Sequence, residues 1–225
     1  MLLFPWRHLG QGAGLTLACS LWLGSFGGFL PASAESTTAP LVLGQSLPLS
    51  GPSAQLGLEY RRGAQAWFDA VNRDGGIHGR RIELVSLDDQ YEPEQTLANT
   101  RQLLKRSDLL ALFGYVGTPT TKVVLPLIES AAVPLVAPMT GASLLRRADL
   151  RMVFNLRASY RREIAAMVNE LVRDAQHRIA IVYQNDAFGQ DGLEGALIAL
   201  RQHGLKPVLT TTVARNSDQV GDALR

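Results

Sequence analysis

The chain has 225 residues, with 22 Lys and Arg against 20 Asp and Glu and a formal charge of +2. This near balance does not support the clustered basic surface that non-specific nucleic-acid binding requires, so no nucleic-acid partner is expected. The one cysteine, Cys19, excludes a cysteine-type zinc site, and residues 35–225 are numerous enough to bury a core without covalent help.

In chain order, the first segment reads as a leader. Arg7 is the only cation of residues 1–34, Leu15 to Leu30 is apolar and glycine-rich, and Pro31-Ala32-Ser33-Ala34 sets small residues at a cleavage site before Glu35. A membrane anchor needs about 20 apolar residues, and this run is shorter and broken by glycine. Cys19 is a poor lipid-attachment site, because Thr16 stands where such a signal wants a branched aliphatic residue. A cleavable signal peptide over 1–34, and export, are predicted.

From Leu41 onward β-branched or Leu-rich runs alternate with amphipathic ones, which predicts an α/β fold with largely parallel sheets. Leu41 to Leu47 is the first strand. Tyr60, Ala64, Trp67 and Val71 recur on one helical face, and Asp74-Gly75-Gly76 closes that helix. Arg81 to Leu87 is the second strand, and Pro93 opens the next helix. Leu109 to Phe113, Val133 to Ala137 and Arg151 to Asn155 are the third to fifth strands. A helix from about Arg161 to Asp174, a strand Ile179 to Tyr183, a helix Gly189 to His203 and a strand Pro207 to Val213 repeat the alphabet. Ser217 then caps a last predicted helix that nothing terminates. Two strands make too small a second sheet to stand alone, so the chain reads as the amino-terminal part of a longer protein. The boundaries expected are a first α/β lobe over 35–157 and a partial second α/β lobe over 158–225.

Two strand-to-helix junctions carry the functional signal. Gly114-Tyr115-Val116-Gly117-Thr118-Pro119-Thr120-Thr121 and Pro138-Met139-Thr140-Gly141-Ala142-Ser143 are small, hydroxyl-rich turns. The first turn of a helix exposes N–H groups and partial positive charge, and neighbouring parallel strands present such turns at one carboxyl edge. The prediction is a cleft for a small anionic or zwitterionic molecule.

Four motifs in order carry a family resemblance. Pro48-Leu49-Ser50-Gly51-Pro52 with Gly63-Ala64, Asn72-Arg73-Asp74-Gly75-Gly76-Ile77-His78-Gly79, Asp88-Asp89-Gln90-Tyr91-Glu92-Pro93 and Ala187-Phe188-Gly189-Gln190-Asp191-Gly192-Leu193 resemble the leucine/isoleucine/valine-type periplasmic solute-binding proteins of ABC transporters. The resemblance implies a type I periplasmic-binding-protein fold of two Rossmann-like lobes, no catalysis, a periplasmic location, and an amino acid or related carboxylate handed to an ABC permease in the inner membrane. It places Thr118 at the carboxylate site and departs at the second turn. There Gly141 occupies a threonine position, so Thr140 or the amides of Gly141 and Ala142 take the role. Met139, Tyr115, Leu56 and Phe188 are implied to line the mouth. The brace that the family often makes with a disulfide falls on Tyr91 and Gly117, and the acid that holds a ligand ammonium lies beyond residue 225.

Rival readings are weaker. Asp88, Asp89, Glu92 and Glu94 suggest a metal or phosphoacceptor cluster, but acids suit a helix's first turn through the macrodipole alone. No Gly-x-Ser-x-Gly elbow, Walker loop or Gly-x-Gly-x-x-Gly fingerprint occurs, so neither an enzyme nor a cofactor is predicted. An amide- or urea-type sensor, a receptor ligand domain of the same fold, and an inactive truncated product stay open as alternatives.

Overall fold

Strand β1 (Leu41–Leu47) is the buried interior strand of a parallel sheet, with Val42 and Leu47 fully enclosed and the equally enclosed Gln45 and Ser46 hydrogen-bonded to Ser86 and Asp89. The computed structural model describes residues 39–224; the signal peptide read over 1–34 and Cys19 lie outside them. β2 (Ile82–Asp88) pairs with β1 from Leu41↔Ile82 to Leu47↔Asp88, and β3 (Leu109–Phe113) lies on its other side. With β4 (Leu135–Val136) and β5 (Val153–Phe154) the order is β2-β1-β3-β4-β5, every pair parallel. The order turns back at β1 and β3, which opens a crevice at the carboxyl ends of those strands.

Helices α1 (Ala54–Arg73), α2 (Pro93–Leu103) and α3 (Thr118–Ala131) link these strands. Proline sits at the start of α2 and of α3, where its missing N–H costs nothing. Leu103, Leu112, Val124, Ile128, Leu135 and Leu145 form one core, and Tyr160 joins it from the next element. That element, α4 (Tyr160–Arg173), is capped by Ser159, which accepts from the Arg162 N–H. β6 (Ala180–Gln184) and β7 (Leu209–Val213) pair in parallel around α5 (Ala187–Gln202), whose first turn is capped by Asp186 through the N–H groups of Phe188 and Gly189. A second, smaller core gathers Val168, Ala199 and Leu200. Among the described residues no helix is long and apolar enough to cross a membrane.

Three local expectations are corrected. Trp67 does not share the inner face of α1. It is 69 % exposed, and Phe68 turns inward instead, edge-on to Phe113 at 5.4 Å. Tyr60 does face inward, its ring 6.5 Å from that of Phe113 and its hydroxyl donating to Ala137 C=O, so the predicted stripe is displaced at Trp67, by one residue. The fourth and fifth strands shorten to two residues each, since Pro134 has no N–H for the ladder and Ala137 takes a left-handed φ of 53°. No helix grows from Ser217. Its hydroxyl accepts from the Gln219 N–H at 3.1 Å in a local turn, Asn216 is left-handed, and one 3₁₀ turn, Gly221–Leu224, ends the described chain.

A candidate ligand cleft

The two predicted turns do lie side by side, and the main chain joins them. Val116 and Met139 form a parallel bridge; Met139 N–H donates to Tyr115 C=O at 2.7 Å and Gly117 N–H to Met139 C=O at 3.4 Å. Gly117 has a φ of 101°, a conformation that favours glycine, and it hands the chain directly into α3. Thr118 Oγ1 and Thr140 Oγ1 stand 2.7 Å apart with neither residue exposed, and Thr140 Oγ1 also accepts the Ala142 N–H. Gly141 supports the start of α4: its C=O accepts the Tyr160 N–H at 2.9 Å, and a β-carbon there would come within 2.7 Å of Tyr160 Cδ1.

In front of these turns is a cavity of about 770 Å³. Ser53, Leu56, Tyr91, Val116, Gly117 and Met139 line it from the five-stranded side, and Arg157, Tyr160, Gln184, Phe188 and Gly189 from the other. It runs on over the apolar faces of α4 and β6, past Met167, Leu171 and Ile181. The walls are chiefly hydrocarbon and aromatic ring, which suits an apolar ligand body steered by a few polar groups. Arg157 and Glu163 form a two-point ion pair, both contacts 2.7 Å, so these two lining charges neutralise each other. The Arg157 guanidinium also lies 5.2 Å from the centre of the Tyr160 ring, whose other neighbour is Phe188, edge-on at 5.3 Å.

The site residues named from sequence fall into two groups. Leu56, Met139 and Phe188 line the cavity. Thr118, Thr140 and Gly141 lie behind its wall, fully covered. Tyr115 is corrected: it does not reach the mouth. Its ring is buried in the core, its hydroxyl is hydrogen-bonded to Thr100 Oγ1 at 2.9 Å, and burial drives its phenol well above the ordinary range. The Asp88–Glu94 stretch is spent on the loops. Asp88 accepts from the N–H groups of Leu49, Ser50 and Gln90; slight burial pushes its carboxyl up, but these bonds and that from the Ser50 hydroxyl outweigh it and hold it low. Asp89 is wholly enclosed and its carboxyl is raised by that burial, although the Ser46 and Thr96 hydroxyls and the Tyr91 N–H donate to it. Among the described residues no group of three or more His, Cys, Asp or Glu is placed to hold a metal ion.

Tyr91, Arg157, Tyr160 and Gln184 are cavity residues that spacing alone does not single out. Tyr91 is held at a φ of 63°, and its Cε2 edge packs on Gly117 so closely that a β-carbon on Gly117 would run into it. The two positions where the family resemblance puts a disulfide therefore do meet, as ring on glycine. Burial, then the negative charge of Asp186, pushes the Tyr91 phenol up to about 12 against the pull of a Gln184 hydrogen bond.

The profile of the periplasmic binding protein family matches residues 40–225. The chain belongs to this family. A possible leucine/isoleucine/valine-binding protein from Rhodopirellula baltica SH 1 has a structure that superimposes with a TM-score of 0.79 at 38 % identity, covering 86 % of this chain and 53 % of that one. A substrate-binding periplasmic protein from Ralstonia solanacearum gives 0.77 at 37 %, covering 82 % and 52 %. Leu/Ile/Val-binding protein homolog 7 of Brucella abortus is 26 % identical over 198 residues, 84 % of this chain and 49 % of the relative. The family member described here is thus of the type I, Leu/Ile/Val-binding-protein-like kind, and spans about half the length of these relatives.

Proposed function

We propose that this chain captures a branched-chain amino acid or a similar small carboxylate in its cleft, as the periplasmic component of an ABC importer that delivers the solute to an inner-membrane permease, and that it performs no catalysis. The observation that carries this reading is the apolar, ring-walled cavity at the carboxyl edge of parallel strands, directly in front of the first turn of α3. Leu56, Met139 and Phe188 receive the aliphatic body. The electropositive first turn of α3, reached from the cavity at Gly117, attracts the carboxylate, and the covered Thr118–Thr140 hydroxyl pair behind it fixes that turn's geometry, with Gly141 giving α4 its close approach. Burying a Leu-sized side chain contributes about 1.5–3 kcal/mol, and each charge-assisted hydrogen bond about as much. A few together reach the roughly 8 kcal/mol of micromolar affinity. The names of the relatives support the same solute class. Residues 1–34 serve as signal peptide, 35–157 as the first lobe and 158–225 as part of the second.

Thermal-shift screening followed by titration calorimetry tests this, with leucine, isoleucine, valine, amides and small carboxylates as probes, since a ligand of the folded state raises its stability by mass action. The expected result is a stabilising aliphatic carboxylate whose binding weakens about tenfold in Thr118→Ala, as the turn at the head of α3 loses the hydroxyl bond that fixes it. Folded protein that ignores every carboxylate, or a Thr118→Ala protein that binds undiminished, overturns the proposal.

A further inference from the structure

The chain crosses between its two sheets through residues 155–159; the Ser143 N–H donates across to Asp191 Oδ1 at 3.0 Å, and a further polar tie joins the two regions at the cavity mouth. The segment after β7 reaches the loop after β2: Arg215 Nη2 lies 2.7 Å from Glu92 Oε2, and Asn216 Nδ2 donates to Glu92 Oε1 at 2.6 Å and to Gln90 C=O at 3.1 Å. Ser53 Oγ, itself on the cavity wall, donates to Asn216 Oδ1 at 3.2 Å. Arg215 Nη1 also faces Asp186, the cap of α5, at 3.9 Å. Gln90, Tyr91 and Asn216 all hold left-handed conformations, a cost borne only when surrounding contacts over-determine it. The Arg215 and Glu92 side chains are about one quarter and one third exposed, which leaves them less screened than open surface pairs.

We propose that Glu92, Arg215 and Asn216 form a clasp that holds the cleft shut and so sets the rate at which a bound solute leaves. A carboxylate gripped by two consecutive residues is a two-point fastening whose halves belong to different sheets. Asp186 makes it asymmetric. Losing Glu92 leaves Arg215 partnered by Asp186, whereas losing Arg215 leaves the Glu92 and Asp186 carboxylates facing across the gap, where like charges repel. The clasp also keeps Tyr91, next to Glu92 in sequence, against the cavity. Its consequence for release rests on reading the cavity as a ligand cleft; its existence does not, and the test needs no ligand.

Spin labels at Gln65→Cys and Gln202→Cys, both exposed, in a Cys19→Ser background would report the distance between the two regions by pulsed dipolar spectroscopy. Glu92→Gln is expected to lengthen and broaden the distribution, Arg215→Gln to do so further, and the charge exchange Glu92→Arg with Arg215→Glu to recover part of the parental distribution. Amide exchange at residues 90–92 should quicken at least about tenfold in Arg215→Gln, the loss expected for one charge-assisted hydrogen bond. Unchanged distances and exchange in both single variants, or equal broadening in the two, would overturn the proposal. High salt gives an independent check: it should broaden the parental distribution and, by screening the Glu92–Asp186 repulsion, narrow that of Arg215→Gln.

Discussion

The five-stranded and two-stranded regions use one βα vocabulary but differ in how far their strands are covered. In the first, Leu112, Val124, Ile128 and Leu135 are fully enclosed between sheet and helices. In the second, Val182 and Leu209 on the paired strands are 59 % and 52 % exposed, and α4 and α5 meet a core of only three enclosed residues. Parallel sheets reach stability by being covered on both faces, and a two-stranded one has little to offer unaided. The lesson is that the smaller region leans on the larger through Tyr160, which opens α4 yet packs in the other core.

The largest expected effect tests that asymmetry directly. Leu112→Ala should lower unfolding free energy by about 2–5 kcal/mol, while Leu209→Ala, at a half-exposed position, should cost no more than about 0.5 kcal/mol. Equal losses in urea titrations would erase the distinction between the regions.

At the joint between them, Gly117→Ala both forces a side chain into a φ of 101° and collides with the Tyr91 ring. A loss of about 1–3 kcal/mol is expected. Combining it with Tyr91→Ala should relieve the collision but not the backbone strain, and simple additivity in that double-mutant cycle would count against a ring-on-glycine brace.

A subtler comparison concerns the two buried threonines. Thr118→Val or Thr140→Val alone leaves one hydroxyl enclosed without its partner, at about 1–3 kcal/mol, whereas the double Val variant should lose less than the sum of the two, keeping only the cost of the unpaired Ala142 N–H. If the double variant loses the sum of the singles, the hydroxyl pair is not the unit.

The smallest effect is on titration. Because the Tyr91 phenol is raised from 10.0 to about 12, its contribution to stability is fully present below pH 10.0 and is lost as pH rises through about 12. Tyrosinate absorbance should show a late step missing from Tyr91→Phe. A step at the ordinary tyrosine value would mean that the ring is not covered by the second region.

Much of the architecture was legible because parallel strands announce themselves as apolar runs ended by glycine, as in Leu109 to Gly114, and because Pro93 marks a helix start. The pairing of the two turns was also readable, since neighbouring parallel strands must present their ends together. What spacing could not give was depth. Thr118 and Thr140 lie behind the cavity wall because their hydroxyls satisfy each other, and Tyr115 turns into the core because Thr100, from a different helix, is there to meet its hydroxyl. Nor could it find Tyr91, Tyr160 or the Glu92–Arg215 contact, whose partners are set by tertiary approach across 123 residues.

The Tyr91 ring resting on Gly117 lends the loop a fastening that is mechanical where a sulfur–sulfur link would be chemical. It forms as soon as the surfaces meet, owes nothing to an oxidant or a disulfide-shuffling catalyst, and should withstand a reductant. A rotation about Cα–Cβ undoes it and another restores it, so the brace at this corner is reversible without the making or breaking of a covalent bond.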